Sequence, residues 1–388
     1  MRDMGIIGNT PTYFEEVETT EPYEGYWYSV KNIITIVLLG SLCGLKNLIM
    51  IHEWAASERV KEYLQKIGIP RIPCYSQLTV IMGIIEPKSL GLAFENWVIK
   101  IVSVAGKTIA LDGKTERSTE KMGTYESAVH IVSAQISELG LTIGTECVAS
   151  KSNEIPAVRE LIKRLDIKDA MIVADALNCQ TETAEAIIEA GADYLLEVKG
   201  NQKTMCDEVK ELFDDVDERI ELIETDRAAI ELNKHGNRKE YRAGYVRYDV
   251  EKLTHGDEWA GIKCIGAIHR KFDVNNQTMT DEWHYYISSR PLSADELLKH
   301  ARLEWGVESM HWLLDVHFDE DRLRLFNQNS LVNLNIIHKA ALNLISEFKR
   351  LSSSKKAVSS IMRACLFDLK FFDYFLSISF FPFVFNLL

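Results

Sequence analysis

A mixed α/β sheet with helices on its faces is the architecture to expect of this 388-residue chain, on three grounds. Apolar residues recur at three-four spacing through the first hundred positions and so mark helices. From Lys107 the period shortens to β-rich runs that alternate with helical stretches in the order β-β-β-α-β-α-β. Alternation of this kind after an antiparallel meander builds a mixed sheet. A capping box at Ser293 and Glu296 then opens a last long helical region.

Each element has its own warrant. "SVKNIITIVLLGSLCG" and "NLIMIHEWAASERVKEYLQKIG" read as amphipathic or buried helices, with Gly68 as a C-cap. "IPRIPCYS" is a proline-marked break, and "PKSLGLAFENWVIKIVSV" is a further helix. "KTIALDG", "ESAVHIVSAQIS" and "LTIGTECVAS" are three strands, the last two split by Glu-Leu-Gly. "SNEIPAVRELIKRLDI" starts a helix with Ser152 or Asn153 as N-cap and Pro156 in the first turn. "AMIVAD" is a buried strand, "QTETAEAIIEAG" a helix that ends at Gly191, and "DYLLEVKGNQ" a fifth strand. An acidic helix over 203–215 precedes a mainly β stretch that runs to about residue 290.

Composition narrows the class. The apolar share of 46% and charged share of 26% are those of a soluble globular protein. Seven cysteines stand singly, with no Cys-x-x-Cys pair, which argues against a zinc site or a disulfide scaffold and fits reduced thiols. The acidic N-terminus does not read as a signal peptide. "IITIVLLGSLCGL" is too short to span a bilayer, and "YFLSISFFPFVFNLL" is both short and broken by Pro382, so no membrane role is expected. A net charge of −13 counts against nucleic acid when taken alone. It is unevenly spread, however: residues 338–363 carry six Lys or Arg against one acid.

Three acids carry the chemistry. Asp112 and Asp175 each close an apolar strand, so both carboxylates are expected at strand tips. On one ideal helix from Ser293, Glu308 falls within the apolar stripe of Leu297, Ala301, Trp305 and Trp312 and should face inward. A buried carboxylate needs a cation. That cation is either an arginine such as Arg302 or a metal ion, and Asp315 on the same stripe is the rival third ligand. Oxygen donors with no His or Cys beside them suit Mg²⁺ or Mn²⁺. Two such ions, about 3.5–4 Å apart, clamp the attacking and leaving oxygens of phosphoryl transfer. Lys114 and Arg117 follow Asp112 closely and read either as phosphate contacts or as surface cations. The segment 349–356, with Lys349, Arg350, Lys355 and Lys356, reads as a DNA-backbone track or a solvated helix end. His130 reads as a satisfied core histidine, and Trp305 and Trp312 as packing residues, with base stacking as the alternative.

The motifs "IALDGKTERST", "HIVSAQISELGLT", "KSNEIPAVRELI", "MIVADALNCQTETAEAIIEAGADYLLEVKGNQ", "WHYYISSR" and "ARLEWGVESMHWLLDVHFDEDRLR" resemble DDE transposases of the H-repeat-associated (Rhs-element) insertion-sequence family, over about residues 28–370. The resemblance implies a ribonuclease-H-like mixed sheet with helices on both faces, an inserted mainly β subdomain at about 203–290 and a helical N-terminal domain. It implies a helical domain at 1–104, a catalytic domain at 105–348, and a basic segment with a hydrophobic tail at 349–388. Asp112, Asp175 and Glu308 would be the catalytic, metal-holding acids for two ions. Lys199, Asn201 and Gln202 of "KGNQ" would line the site, with Arg302 shortly before the glutamate. The implied partner is double-stranded DNA, at terminal inverted repeats and target, bound by a homodimer on paired ends in a bacterial cytoplasm, at the nucleoid. A metal-dependent nuclease of the same fold and an inactive DNA-binding relic are the alternatives. Three departures stand out: Leu314 and Asp315 occupy the region where related enzymes often carry a lysine, "KHGNRKEYR" has one residue more than a His-Gly-Arg-x-Glu-x-Arg motif, and about the last eighteen residues match nothing expected of the family.

Overall fold

The protein is described from a computed structural model. The described residues are 14–23, 27–117, 119, 128–148, 153–213, 226–234, 238–274, 277–325 and 327–379. Among the described residues five helices come first: Val30–Leu42, Leu48–Ala56, Glu58–Lys66, Tyr75–Ile84 and Pro87–Ile99. Ser29 and Asn47 cap the first two through their side chains. Ser57 stays extended, with its hydroxyl on the Trp54 carbonyl, and so divides the single helix expected at 47–68 into two. Gly68, at φ +89°, ends the second piece as expected.

Among the described residues nine strands form one sheet: β1 Thr108–Glu116, β2 Val129–Ile136, β3 Leu141–Cys147, β4 Met171–Ala174, β5 Asp193–Val198, β6 Asp226–Lys234, β7 Arg238–Arg247, β8 Cys264–Val274 and β9 Gln277–Ser288. Their order is β3-β2-β1-β4-β5-β9-β8-β7-β6. β1, β4 and β5 run parallel, because helices Glu154–Arg164 and Thr181–Glu189 supply the crossovers they need. The remaining pairs are antiparallel. The β-rich stretch after residue 203 therefore joins the same sheet, through β9 on β5.

Helices cover both faces. Gly113 faces His130 and Glu154, and thus the helix Glu154–Arg164. Asp112, one residue earlier and so on the other face, meets His311 of the helix Gly306–Phe318. The helix Gln328–Leu351 joins the sheet to the N-terminal helices. Its Asn343 exchanges hydrogen bonds with the backbone of Thr142 on β3, and its Asn333 donates to the carbonyls of Met82 and Ile85. Helix Leu369–Ser379 packs on the same element through Phe371, Tyr374 and Phe375 around Phe348. Among the described residues no helix is long and apolar enough to cross a membrane. The seven cysteines are free.

Two expectations need correction here. Asp112 is not at a strand tip, because β1 continues to Glu116 on its antiparallel pairing with β2. The "DG" that reads as a turn is thus mid-strand. Gly113 is required by close packing, since a β-carbon there would overlap His130 Nε2 and Glu154 Oε2. The region from Ser293 is two helices, Ala294–Leu303 and Gly306–Phe318, broken at Glu304 and Trp305. Lys339, one of the six cations counted over 338–363, is buried.

Candidate active site

The site lies where the parallel pairing of β1, β4 and β5 stops. Leu111 is opposite Ala174, and Ala174 is opposite Leu196. The next residue on each strand is an acid: Asp112 on β1, Asp175 after β4 and Glu197 on β5. Asp175 caps a short 3₁₀ turn, Ala176–Asn178, and accepts from the backbone and side-chain nitrogens of Asn178 at 3.3 and 3.1 Å. The same Asn178 amide donates to Glu154 Oε1 at 2.7 Å, which ties the acid to the helix beneath. Burial, then the nearby Glu154, push the Asp175 carboxyl above the usual carboxylate range, with Asp112 adding to the effect.

Asp112 is half-buried, its Oδ2 3.3 Å from His311 Nδ1. Glu308 stands in the first turn of the same helix, one turn before His311. It is exposed, not inward-facing: the break at Glu304–Trp305 shifts the helix axis, so a projection continued from Ser293 misplaces it. Glu304, in that break, is the more enclosed acid. Burial, together with Glu197, Asp175 and Asp112, pushes its carboxyl up to about 8, against a partial offset from Lys199. Arg302 is exposed.

The basic residues sort differently from expectation. Lys114 is not a surface cation: its side chain is 11% exposed, with Nζ 2.5 Å from Asp315 Oδ1 and 3.3 Å from Glu320 Oε2. Asp315 is thereby engaged by Lys114. Arg117 is exposed, with Asp321 at 3.8 Å. Lys199 pairs with Glu197 at 2.8 Å, and His284 Nδ1 reaches the same carboxylate at 2.6 Å. Burial would raise Glu197, but these two partners outweigh it and hold the carboxyl below its usual range. Asn201 donates to the Ala176 carbonyl, and Gln202 to the Cys179 carbonyl and Gln180 Oε1. "KGNQ" therefore braces the loop that presents Asp175. Lys349 is half-buried and Arg350 pairs with Glu347. Lys355 and Lys356 are exposed, the latter over the Phe371 ring.

His130 bridges Thr115 Oγ1 and Glu154 Oε2, a satisfied histidine. Trp305 and Trp312 are not packing residues; they are 38% and 60% exposed, and Arg242 and Arg270 lie over the Trp305 ring. Glu240, from the departing "KEYR" segment, holds both of those arginines. The sequence reading missed Glu154, Asn178, Glu197 and Glu304. Only Asn178 left a signal, as a side chain three residues past an Asp at a turn. Among the described residues no three His, Cys, Asp or Glu side chains already converge as a metal-binding set.

Residues 98–344 match the family model described as "Transposase DDE domain". The chain is 31% identical over 342 residues to "Putative transposase YncI" of Escherichia coli O157:H7, across 84% of this chain and 85% of that protein. It is 30% identical over 348 residues to "H repeat-associated putative transposase YhhI" of Escherichia coli strain K12, across 86% of this chain and 90% of that one. The chain belongs to the family of proteins with a transposase DDE domain, and its relatives there include the H repeat-associated type.

Proposed function

We propose that this chain is a DNA transposase of a bacterial insertion sequence. It would cut phosphodiesters at the element's ends and join the freed 3′-OH to target DNA. The observation that carries the reading is the level placement of Asp112 and Asp175 on adjacent parallel strands, with the Glu308 helix docked on β1 beside them, in a chain of the transposase DDE family. The order β3-β2-β1-β4-β5, with β1, β4 and β5 parallel, supports a ribonuclease-H-like core. The helices before residue 105 and the strands β6–β9 would be its N-terminal domain and its insertion.

The donor set fits a hard divalent cation. It is made of carboxylate oxygens, and burial, then neighbouring carboxylates, raises the carboxyls of Asp175 and Glu304, which a bound cation would offset. Asp112, Asp175 and Glu308 would hold Mg²⁺ or Mn²⁺, with Glu304 as the second candidate for the third position. When bound, a pair of such ions supplies activation of the attacking oxygen and stabilisation of the leaving one. The chain's own residues do the positioning: Asn178 fixes the Asp175 carboxylate, and His311 fixes that of Asp112. Arg117, Lys355 and Lys356 present cations where a duplex backbone can reach them. Lys199 would exchange Glu197 for a phosphate. A homodimer on paired ends would bring two such sites to one DNA junction.

The test is excision in cells of a plasmid-borne element bounded by the sequences that flank this gene. Wild type excises. Asp175→Asn and Glu308→Gln fall to background, and Asn178→Ala loses about 10–100-fold, as for removal of a group that orients a metal ligand. Full excision by Asp175→Asn would sink the reading. Loss in Glu304→Gln with retention in Glu308→Gln would transfer the third role to Glu304.

A further inference from the structure

Asp112, Lys114 and Glu116 share one face of β1, since side chains alternate along a strand. Each meets a partner from the elements that follow the second helix break. Asp112 meets His311 at 3.3 Å, Lys114 meets Asp315 at 2.5 Å, and Glu116 Oε1 accepts from Asn335 at 3.4 Å. Two strand residues advance about 6.6 Å and four helical residues about 6 Å, so the rows 112–114 and 311–315 keep step. A slip of the helix by one residue would take both pairs out of reach together.

Lys114 is the hub of this row. Its ammonium lies between Asp315 and Glu320, and Glu320 is 1% exposed. Glu320 also accepts from Asn335 at 3.1 Å and lies 3.1 Å from His338 Nδ1, both on the helix Gln328–Leu351. Without the lysine, Asp315 and Glu320 would lose the cation they share, which leaves the buried Lys339 to offset Glu320 and Glu116.

We infer that Lys114 is a positioning residue: it locks the helix that carries Glu308 in register on the strand that carries Asp112, and does not contact DNA. This rests on the transposase reading, because it gives that register a purpose. Val307, Met310, Leu314 and Phe318 bury the apolar side of this helix, but Trp305 gives its start no side-chain cap. A lock two turns downstream of Glu308 compensates.

Amide hydrogen exchange on the full chain, read by mass spectrometry, tests it alongside the plasmid excision assay. In Lys114→Met, amides of residues 306–318 exchange at least about tenfold faster while those of 328–351 stay protected, and excision drops by about 10–100-fold. Lys114→Arg restores both. Asp315→Asn keeps the Glu320 pair and loosens only the last turns of 306–318, which serves where Lys114→Met does not fold. Unchanged exchange in the folded variants overturns the lock, and so does faster exchange with full excision. Lost excision with unchanged exchange and weakened binding to a duplex of the flanking sequence would make Lys114 a DNA contact instead. A loosened helix in a chain whose wild type never excises would support the lock and defeat the transposase reading.

Discussion

Gly113 shows how a single residue can mislead and still matter. In isolation, Asp-Gly after an apolar run marks a turn. In the fold, the glycine lets β1 pass over the His130–Glu154 pair, which in turn anchors Asn178 and so Asp175. Glu304 is the residue-scale feature with a pH signature. Its carboxyl is raised from 4.5 to about 8 on folding, so the native state binds more protons than the unfolded one between those values. The stability it confers is complete below pH 4.5 and is lost as pH rises through 8. Thermal melting in a chelator should therefore show Glu304→Gln gaining on wild type as pH goes from 5 to 8. A constant difference across that range would remove Glu304 from the acid cluster.

At the scale of elements, hydrophobic periodicity placed most strands and helices, and departures arose where a local bond overrode it. Ser57 broke one helix by folding its hydroxyl back on Trp54, and Trp305, with ψ of −3°, broke another. Neither break is visible in hydrophobic periodicity, because both flanking helices keep apolar faces. The capping box, by contrast, was legible and formed: Ser293 Oγ accepts from the Glu296 amide, and Glu296 Oε2 accepts from that of Ser293. Ser293→Ala should cost about 1 kcal/mol in chemical denaturation, with little effect on excision. A loss of excision larger than the stability change would tie this helix start to Glu304 and the site.

At the scale of the molecule, the helix Gln328–Leu351 is the spine. The N-terminal helices, β3 and the C-terminal helix all bury side chains against it, and eighteen of its residues are enclosed. Of the uncharged tail after Asp373, Phe375 and Leu376 take part in this packing, as does Phe372 just before it, while residues 380–388 lie outside the described residues. Truncation after Asp368 should destabilise by several kcal/mol, at about 1.5–3 kcal/mol for each large apolar side chain uncovered. Truncation after Ser379 is the control, and equal melting of the two would show that the last helix contributes nothing.

Local spacing was enough to read the order of strands and helices, the two aspartates on neighbouring strands and the family likeness. Each depends on residues close in sequence. Which acids actually meet was settled by the three-dimensional packing. Glu197 and Glu304 come to Asp175 through strand register and a helix break, and Lys114 leaves the surface because Asp315 and Glu320, some two hundred residues on, fold over it. Charge pairing acts through space, and no pattern along the chain records it.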